Sequence, residues 1–231
     1  MYFHKNQQEK TAVFKQLGLK SKSIIFVRHG QSIGNVRGLD DESLVDTPNY
    51  LFGISEQGQF ESRQAGEILR NLKLSWDQSF ISTYLRTKQT WDGMKSVFPT
   101  GLAEPIIDSR LNEWWRGIWH TMNKDDIVKY FPLEFGISKR EGWYHYRAPG
   151  GQAGQDVELQ IYSFLTDFVS GTYSDAKTIL VVGHGKWAIL FWRIMTGATV
   201  DEAEEKLKNN PFGNCSITIC DKNGLETINN C

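Results

Sequence analysis

Ser23-Ile24-Ile25-Phe26-Val27, followed at once by Arg28-His29-Gly30-Gln31-Ser32-Ile33-Gly34-Asn35, is the stretch on which the reading of this chain turns. The first five residues form a β-branched and aromatic run without polar alternation, which predicts a strand buried on both faces. The strand ends abruptly at Arg28-His29-Gly30. Arg28 supplies a planar fork of donors suited to phosphate oxygens. Gly30 lets the backbone turn sharply and bring its amides close to an anion. Ser32 and Asn35 add neutral donors, although a serine at this place serves equally well as a turn former. A histidine among such groups faces positive potential, which disfavours its protonated form and keeps the imidazole neutral and nucleophilic near pH 7.

Working outward, Lys177 to Val182 is a second strong strand and again ends in a polar break, Gly183-His184-Gly185. Between the two, a helix is expected after Ser55, whose hydroxyl can cap free N–H groups, with Phe60, Ala65, Ile68, Leu69 and Leu72 at helical spacing. Ser79 to Ser82 reads as a strand, Tyr84 to Phe98 as a helix closed by Pro99, and Pro105 to Asp108 as a short strand. Further on, Asp156 to Val169, Lys186 to Met195 and Asp201 to Lys208 read as helices, and Gly197 is placed to end the second of them. Ser216 to Ile219 and Leu225 to Ile228 pair as a terminal hairpin. Strands alternating with helices imply an α/β fold with a mainly parallel sheet covered on both sides. Ligands of such sheets bind beyond the carboxyl ends of the strands. His29 and His184 both follow buried strands, and Arg86 opens a helix after a strand. All three are therefore expected at one sheet edge, with Glu113 of Leu111-Asn112-Glu113 as a nearby carboxyl group.

The chain has 231 residues, with 40% hydrophobic and 23% charged, which argues against disorder and suits one α/β unit spanning residues 1–231. Residues 1–20 are expected to form an accessory helix around Val13, Phe14 and Leu17. Residues 114–151 read as an aromatic-rich insertion with one or two short helices. Lys and Arg number 26 against 27 Asp and Glu, so the formal net charge is -1 and nothing supports a nucleic-acid partner. No apolar run approaches the roughly 20 residues a bilayer span needs, so no membrane role is expected. Cys215, Cys220 and Cys231 are too few and too clustered for a disulfide framework, and match no metal spacing. Reduced thiols in a cytoplasmic protein are the expectation.

The ordered set Arg28-His29-Gly30-Gln31-Ser32-Ile33-Gly34-Asn35, Ser82 with Arg86, Leu111-Asn112-Glu113, Pro149-Gly150-Gly151 and Val181-Val182-Gly183-His184-Gly185 resembles the histidine phosphatase superfamily, which includes the cofactor-dependent phosphoglycerate mutases. The resemblance implies a three-layer α/β/α sandwich of the phosphoglycerate mutase-like kind. It implies His29 as the nucleophile that becomes a phosphohistidine, and Arg28 and Arg86 as ligands of the non-bridging oxygens. Asn35, Ser32 and Gly185 would join them at the phosphate, with His184 adding a hydrogen bond. Glu113 would be the general acid, and later the base. The chemistry implied needs neither metal nor cofactor, and the partner is a small phosphorylated substrate.

The same covalent intermediate serves hydrolysis and phosphoryl migration. Where the mutases carry an arginine after the glutamate, this chain has Trp114. Where they carry an asparagine after the second His-Gly, it has Lys186. These departures, with a shorter insertion that admits water, favour a phosphatase over a mutase. A silent phosphate-binding protein on the same fold is the remaining alternative. Gln152 and Ala153 stand where many relatives have Glu-Ser after Pro-Gly-Gly, which would weaken a brace there. Trp114, Trp115, Trp119, Trp143, Tyr144 and Tyr146 form either an apolar wall for the leaving group or a secondary core. Trp114, Trp143 and Lys186 are the pocket candidates among them and their neighbours. Arg116, Lys124, Lys139, Arg140 and Arg147 are further possible anion contacts. His120 and His145 read as peripheral.

Overall fold

A computed structural model describes residues 18–19, 21–37, 47–120, 122–209 and 212–228. The helix expected before Gly18 and the third cysteine, Cys231, lie outside the described residues. Six strands form one sheet: β1 (Ser23–Arg28), β2 (Gln78–Ile81), β3 (Ile106–Ile107), β4 (Thr178–Gly183), β5 (Ile217–Asp221) and β6 (Gly224–Ile228). Their order is β3-β2-β4-β1-β5-β6. The first four run parallel, and the β5–β6 hairpin adds an antiparallel edge.

The helices are α1 (Ile33–Arg37), α2 (Glu56–Asn71), α3 (Leu85–Lys95), α4 (Lys124–Tyr130), α5 (Pro132–His145), α6 (Gly154–Ser170), α7 (Gly185–Thr196) and α8 (Val200–Lys208). Strand alternation sorts them into layers. Ile25 and Val27 of β1, with Leu180 and Val182 of β4, pack on Ala65 and Leu69 of α2 and Trp91 and Met94 of α3. Ile24 and Phe26, with Ile179 and Val181, pack instead on Phe164 and Phe168 of α6 and on Trp187 and Phe191 of α7. Phe26, Trp187 and Phe191 stack in succession, with ring centres 5.4 and 5.3 Å apart. The three-layer sandwich expected from the sequence is therefore present.

Ser55 caps α2, its hydroxyl accepting from the amide of Gly58. The stripe that α2 buries is Gly58, Glu61, Ser62, Ala65, Gly66 and Leu69, whereas Phe60 and Leu72 face solvent. The periodicity placed the helix correctly, but assigned two apolar residues to the wrong face. The reason is that small residues lie where α2 meets backbone: a Cβ on Gly58 would stand 2.3 Å from the Gln31 carbonyl oxygen. Gly197 ends α7 in the left-handed conformation at φ 64°. The insertion is a short 3-10 turn followed by α4 and α5, with its own small core of Trp119, Ile127, Tyr146 and Ala148. Cys215 and Cys220 are buried thiols, and neither is in a disulfide. Among the described residues, no helix is long and apolar enough to cross a membrane.

β1 and β4 are neighbours, and the helices nearest their carboxyl ends lie on opposite faces of the sheet: α2 on one, α7 on the other. That divergence opens a crevice beyond the strand ends. The register pairs Arg28 with Gly183, so His29 and His184 are the next residue along each strand.

Candidate active site

The His29 amide donates to the Gly183 carbonyl at 2.9 Å, which locks the two strand ends together. The rings of His29 and His184 then meet edge to face, with centres 5.2 Å apart. His29 Nδ1 lies 2.8 Å from the Gly30 carbonyl oxygen. A carbonyl can only accept, so Nδ1 carries the proton and Nε2 is left as the basic atom. Burial, and then the charges of Arg86 and Arg28, hold the His29 pKa well below its ordinary value of 6.5. The ring is thus neutral at physiological pH. The loop that presents it is pinned: the Gly30 amide donates to Thr90 Oγ1, the Gln31 amide to Glu61 Oε2, and Ser55 Oγ to Gln31 Oε1. Gly30 has no room for a side chain, because a Cβ would stand 2.6 Å from the Gly58 carbonyl oxygen.

A cavity of about 270 Å³ opens over His29. Its walls include Arg28, Ser32, Asn35, Arg86, Glu113, Gly185 and Lys186. Arg28 donates through Nη1 to the Phe212 carbonyl at 2.5 Å. Arg86 is held by Asn49, whose backbone and side-chain oxygens accept from Nη1 at 2.9 and 3.0 Å. Its guanidinium also lies 4.6 Å over the Tyr84 ring. Desolvation draws the Arg86 pKa down to about 10, which still leaves it charged. Ser32 acts as a turn former: Asn35 N donates to its hydroxyl, and that hydroxyl donates to Asn35 Oδ1. Asn35 Oδ1 also accepts from Ser32 N and Asn214 Nδ2, which leaves the Asn35 amide hydrogens as its contribution to the cavity. Gly185 approaches Arg28 closely, since a Cβ there would meet Nε at 3.3 Å.

His184 is fully buried and lies behind His29 and Tyr84 instead of in the cavity wall. Its Nε2 pairs with Ser82 Oγ at 2.8 Å, and Nδ1 is buried without a protein partner. Burial, Arg86, His29 and Arg28 together push its pKa well below 6.5. Glu113 reaches the cavity just after the turn Ser109–Leu111, with Oε1 accepting from the Trp114 amide at 3.0 Å.

Trp114 and Lys186 line this cavity as expected, the Lys186 ammonium 4.9 Å over the Trp114 ring. Trp143 does not line it. It packs behind Trp114, with ring centres 5.8 Å apart, and lines a neighbouring cavity of about 520 Å³. Gln152 fastens the residues after Glu113: its side-chain oxygen accepts from Trp115 N at 3.0 Å and its backbone oxygen from Trp114 Nε1 at 2.5 Å. Arg140 and Arg147 are engaged elsewhere, with Glu141 and Asp156. His120, read as peripheral, instead lines the first cavity and stacks on Trp115 at 4.8 Å. Asn49 and Phe52 also line it without having been singled out, because their loop carries no periodic or motif signal. Among the described residues, no group of three or more His, Cys, Asp or Glu side chains is placed to hold a metal ion.

Residues 24–227 match the model of the histidine phosphatase superfamily (branch 1). A 2,3-bisphosphoglycerate-dependent phosphoglycerate mutase from Rhizobium etli is 33% identical over 166 residues, covering 71% of this chain and 75% of the relative. The enzyme of the same name from Brucella ovis is 28% identical over the same share of this chain and 77% of its own length. Among solved structures, the alpha-ribazole phosphatase from Shigella flexneri is similar with a TM-score of 0.70 at 17% identity, covering 89% of this chain and 94% of that one. A mycobacterial glucosyl-3-phosphoglycerate phosphatase is similar at 0.61 and 22% identity, covering 86% and 92%.

Proposed function

This chain belongs to the histidine phosphatase superfamily, and we propose that it hydrolyses an organic phosphate ester through a phosphohistidine on His29, without a metal ion. The observation that carries this reading is the state of His29: Nδ1–H committed to the Gly30 carbonyl, Nε2 bare, and the guanidinium groups of Arg28 and Arg86 on the same cavity. Phosphoryl transfer is mostly positioning and charge compensation, and those groups supply both.

In the first step the Nε2 lone pair attacks phosphorus and the ester P–O bond breaks. The leaving oxygen takes a proton from Glu113. Arg28, Arg86 and the Asn35 amide hydrogens hold the three non-bridging oxygens, with the Gly185 region close by. His184, buried behind His29 and outside the cavity wall, packs edge to face on that ring and keeps it in place. In the second step Glu113, now a carboxylate, takes a proton from water. The water oxygen attacks phosphorus, the P–N bond breaks, and inorganic phosphate leaves with His29 neutral again.

Phosphoglycerate mutase-type transfer is the second reading, favoured by the names of the curated relatives. Against it, the residue after Glu113 is Trp114, whose indole is fastened to Gln152 and offers no guanidinium. The binding-protein reading is opposed by the poised state of His29. A chromogenic aryl phosphate assayed without added metal tests hydrolysis, with phosphate release expected from the wild type and none from His29→Ala. Equal rates from the two would refute it. Isomerisation of phosphoglycerates in the presence of the bisphosphate, without net phosphate release, would establish the mutase instead.

A further inference from the structure

The cavity of about 520 Å³ beside the catalytic one is built from the insertion and shares Trp114, Arg116, Lys186 and Leu207 with it. It is about twice the volume of the catalytic cavity and continuous in lining with the place where the leaving oxygen would emerge. Its body is apolar, with Trp119, Ile127, Phe135, Trp143 and Tyr146 among its walls.

The charged groups of that wall are unbalanced. The one carboxylate among its lining residues, Glu204, is paired with Lys208. Arg116 forms no ion pair among the described residues, and its one hydrogen bond, to the Met122 carbonyl, is long at 3.5 Å. Burial lowers the Arg116 pKa with no carboxylate to raise it again. A half-buried guanidinium without a counter-ion is a costly arrangement that an anionic ligand relieves. Lys186, Lys124 and Lys139 add to the same sign. This wall suits a flat apolar group that brings acceptors and negative charge of its own.

Resting on the phosphatase reading above, we infer that the insertion cavity is the leaving-group site, and that it selects phosphomonoesters whose alcohol is aromatic and carries a second anionic group held by Arg116. The phosphate sits on His29, the ring enters between the aromatic walls, and the second charge meets the guanidinium that both cavities share.

The test compares kcat/KM for a neutral aryl phosphate, the same ester with a ring carboxylate, glucose 6-phosphate and 3-phosphoglycerate. The carboxylated aryl ester is expected to lead the neutral one by about tenfold or more, the scale of one charge-assisted hydrogen bond. Arg116→Gln should collapse that ratio toward one, and Arg116→Lys should restore part of it. The product phenol-carboxylate should also bind the His29→Ala protein saturably, read by tryptophan fluorescence. That affinity should drop by about tenfold in the Arg116→Gln, His29→Ala double variant. Phosphate release with a ratio untouched by Arg116→Gln, or preference for the glucose ester, overturns this inference and leaves hydrolysis standing. Arg116-dependent binding without release from any ester overturns hydrolysis and leaves the cavity's ligand class in place.

Discussion

The catalytic pocket and the insertion beside it are built by opposite means. Around His29, side chains come straight off strand ends, and the loop is fixed by three hydrogen bonds and a glycine that admits no Cβ. In the insertion, short helices fold around a small core of their own and lend a few side chains to a wider cavity. In the first region Arg28 and Arg86 are clamped by backbone and side-chain oxygens. In the second, Arg116 has no carboxylate partner among the described residues. A clamped reaction centre beside an apolar, cationic wall is a division of labour between reaction and selection in side-chain terms.

The sharpest way to break that division is His29→Ala. It should lower phosphate release by at least about 10⁴-fold while the far-ultraviolet circular dichroism stays native, because it removes the attacking atom. Residual turnover within a hundredfold of wild type would move the chemistry elsewhere. Next comes Arg86→Ala, expected to cost about 10²- to 10³-fold in kcat/KM. Arg86 is one of the charges that depress the His29 pKa. Removing it lets that pKa rise, so the acid limb of the pH–rate profile should move to higher pH. Asn49→Ala should lose about tenfold, because it frees the guanidinium it positions, and it should shift the same limb in the same direction. An unshifted limb would make Asn49 merely structural.

A stability measurement sharpens the contrast further. His29 and His184 are both held neutral in the fold below their ordinary value of 6.5. The unfolded chain therefore binds more protons as pH falls through that value. Stability should decline below about pH 6.5, by about 1.4 kcal/mol per pH unit for each ring, until the folded pKa values are reached. Urea titrations across pH 5 to 8 would show this slope, and replacing both rings by asparagine would flatten it. The smallest effect belongs to the insertion's surface: Arg140→Ala, whose partner Glu141 is exposed, should change stability by under about 0.5 kcal/mol and activity by less than about twofold. An arginine in each region thus gives effects orders of magnitude apart.

The layer architecture and the placing of Arg28, His29, Arg86 and His184 at the carboxyl ends of strands were legible because each lies within a few positions of a strong strand or helix signal; Glu113 follows only a two-residue strand and stood out through the Leu111-Asn112-Glu113 resemblance alone. Asn49, Phe52 and His120 were not, since they reach the cavity from loops whose path depends on packing elsewhere. Phe60 was misplaced for a related reason: helical periodicity cannot tell that Gly58, Ser62 and Gly66 are buried for their smallness. Trp143 was identified as a pocket residue, yet its cavity is the neighbouring one.

From its order of residues alone, this chain determined that two histidines would end buried strands at one sheet edge among cations, because strand hydrophobicity and the polar break after it are local properties. Only the tertiary structure decided which imidazole nitrogen is bare, that His184 lies behind its partner instead of beside the ligand, and that a second cavity opens past Trp114. Those outcomes depend on register, burial and the meeting of segments far apart in the chain, which no local pattern records.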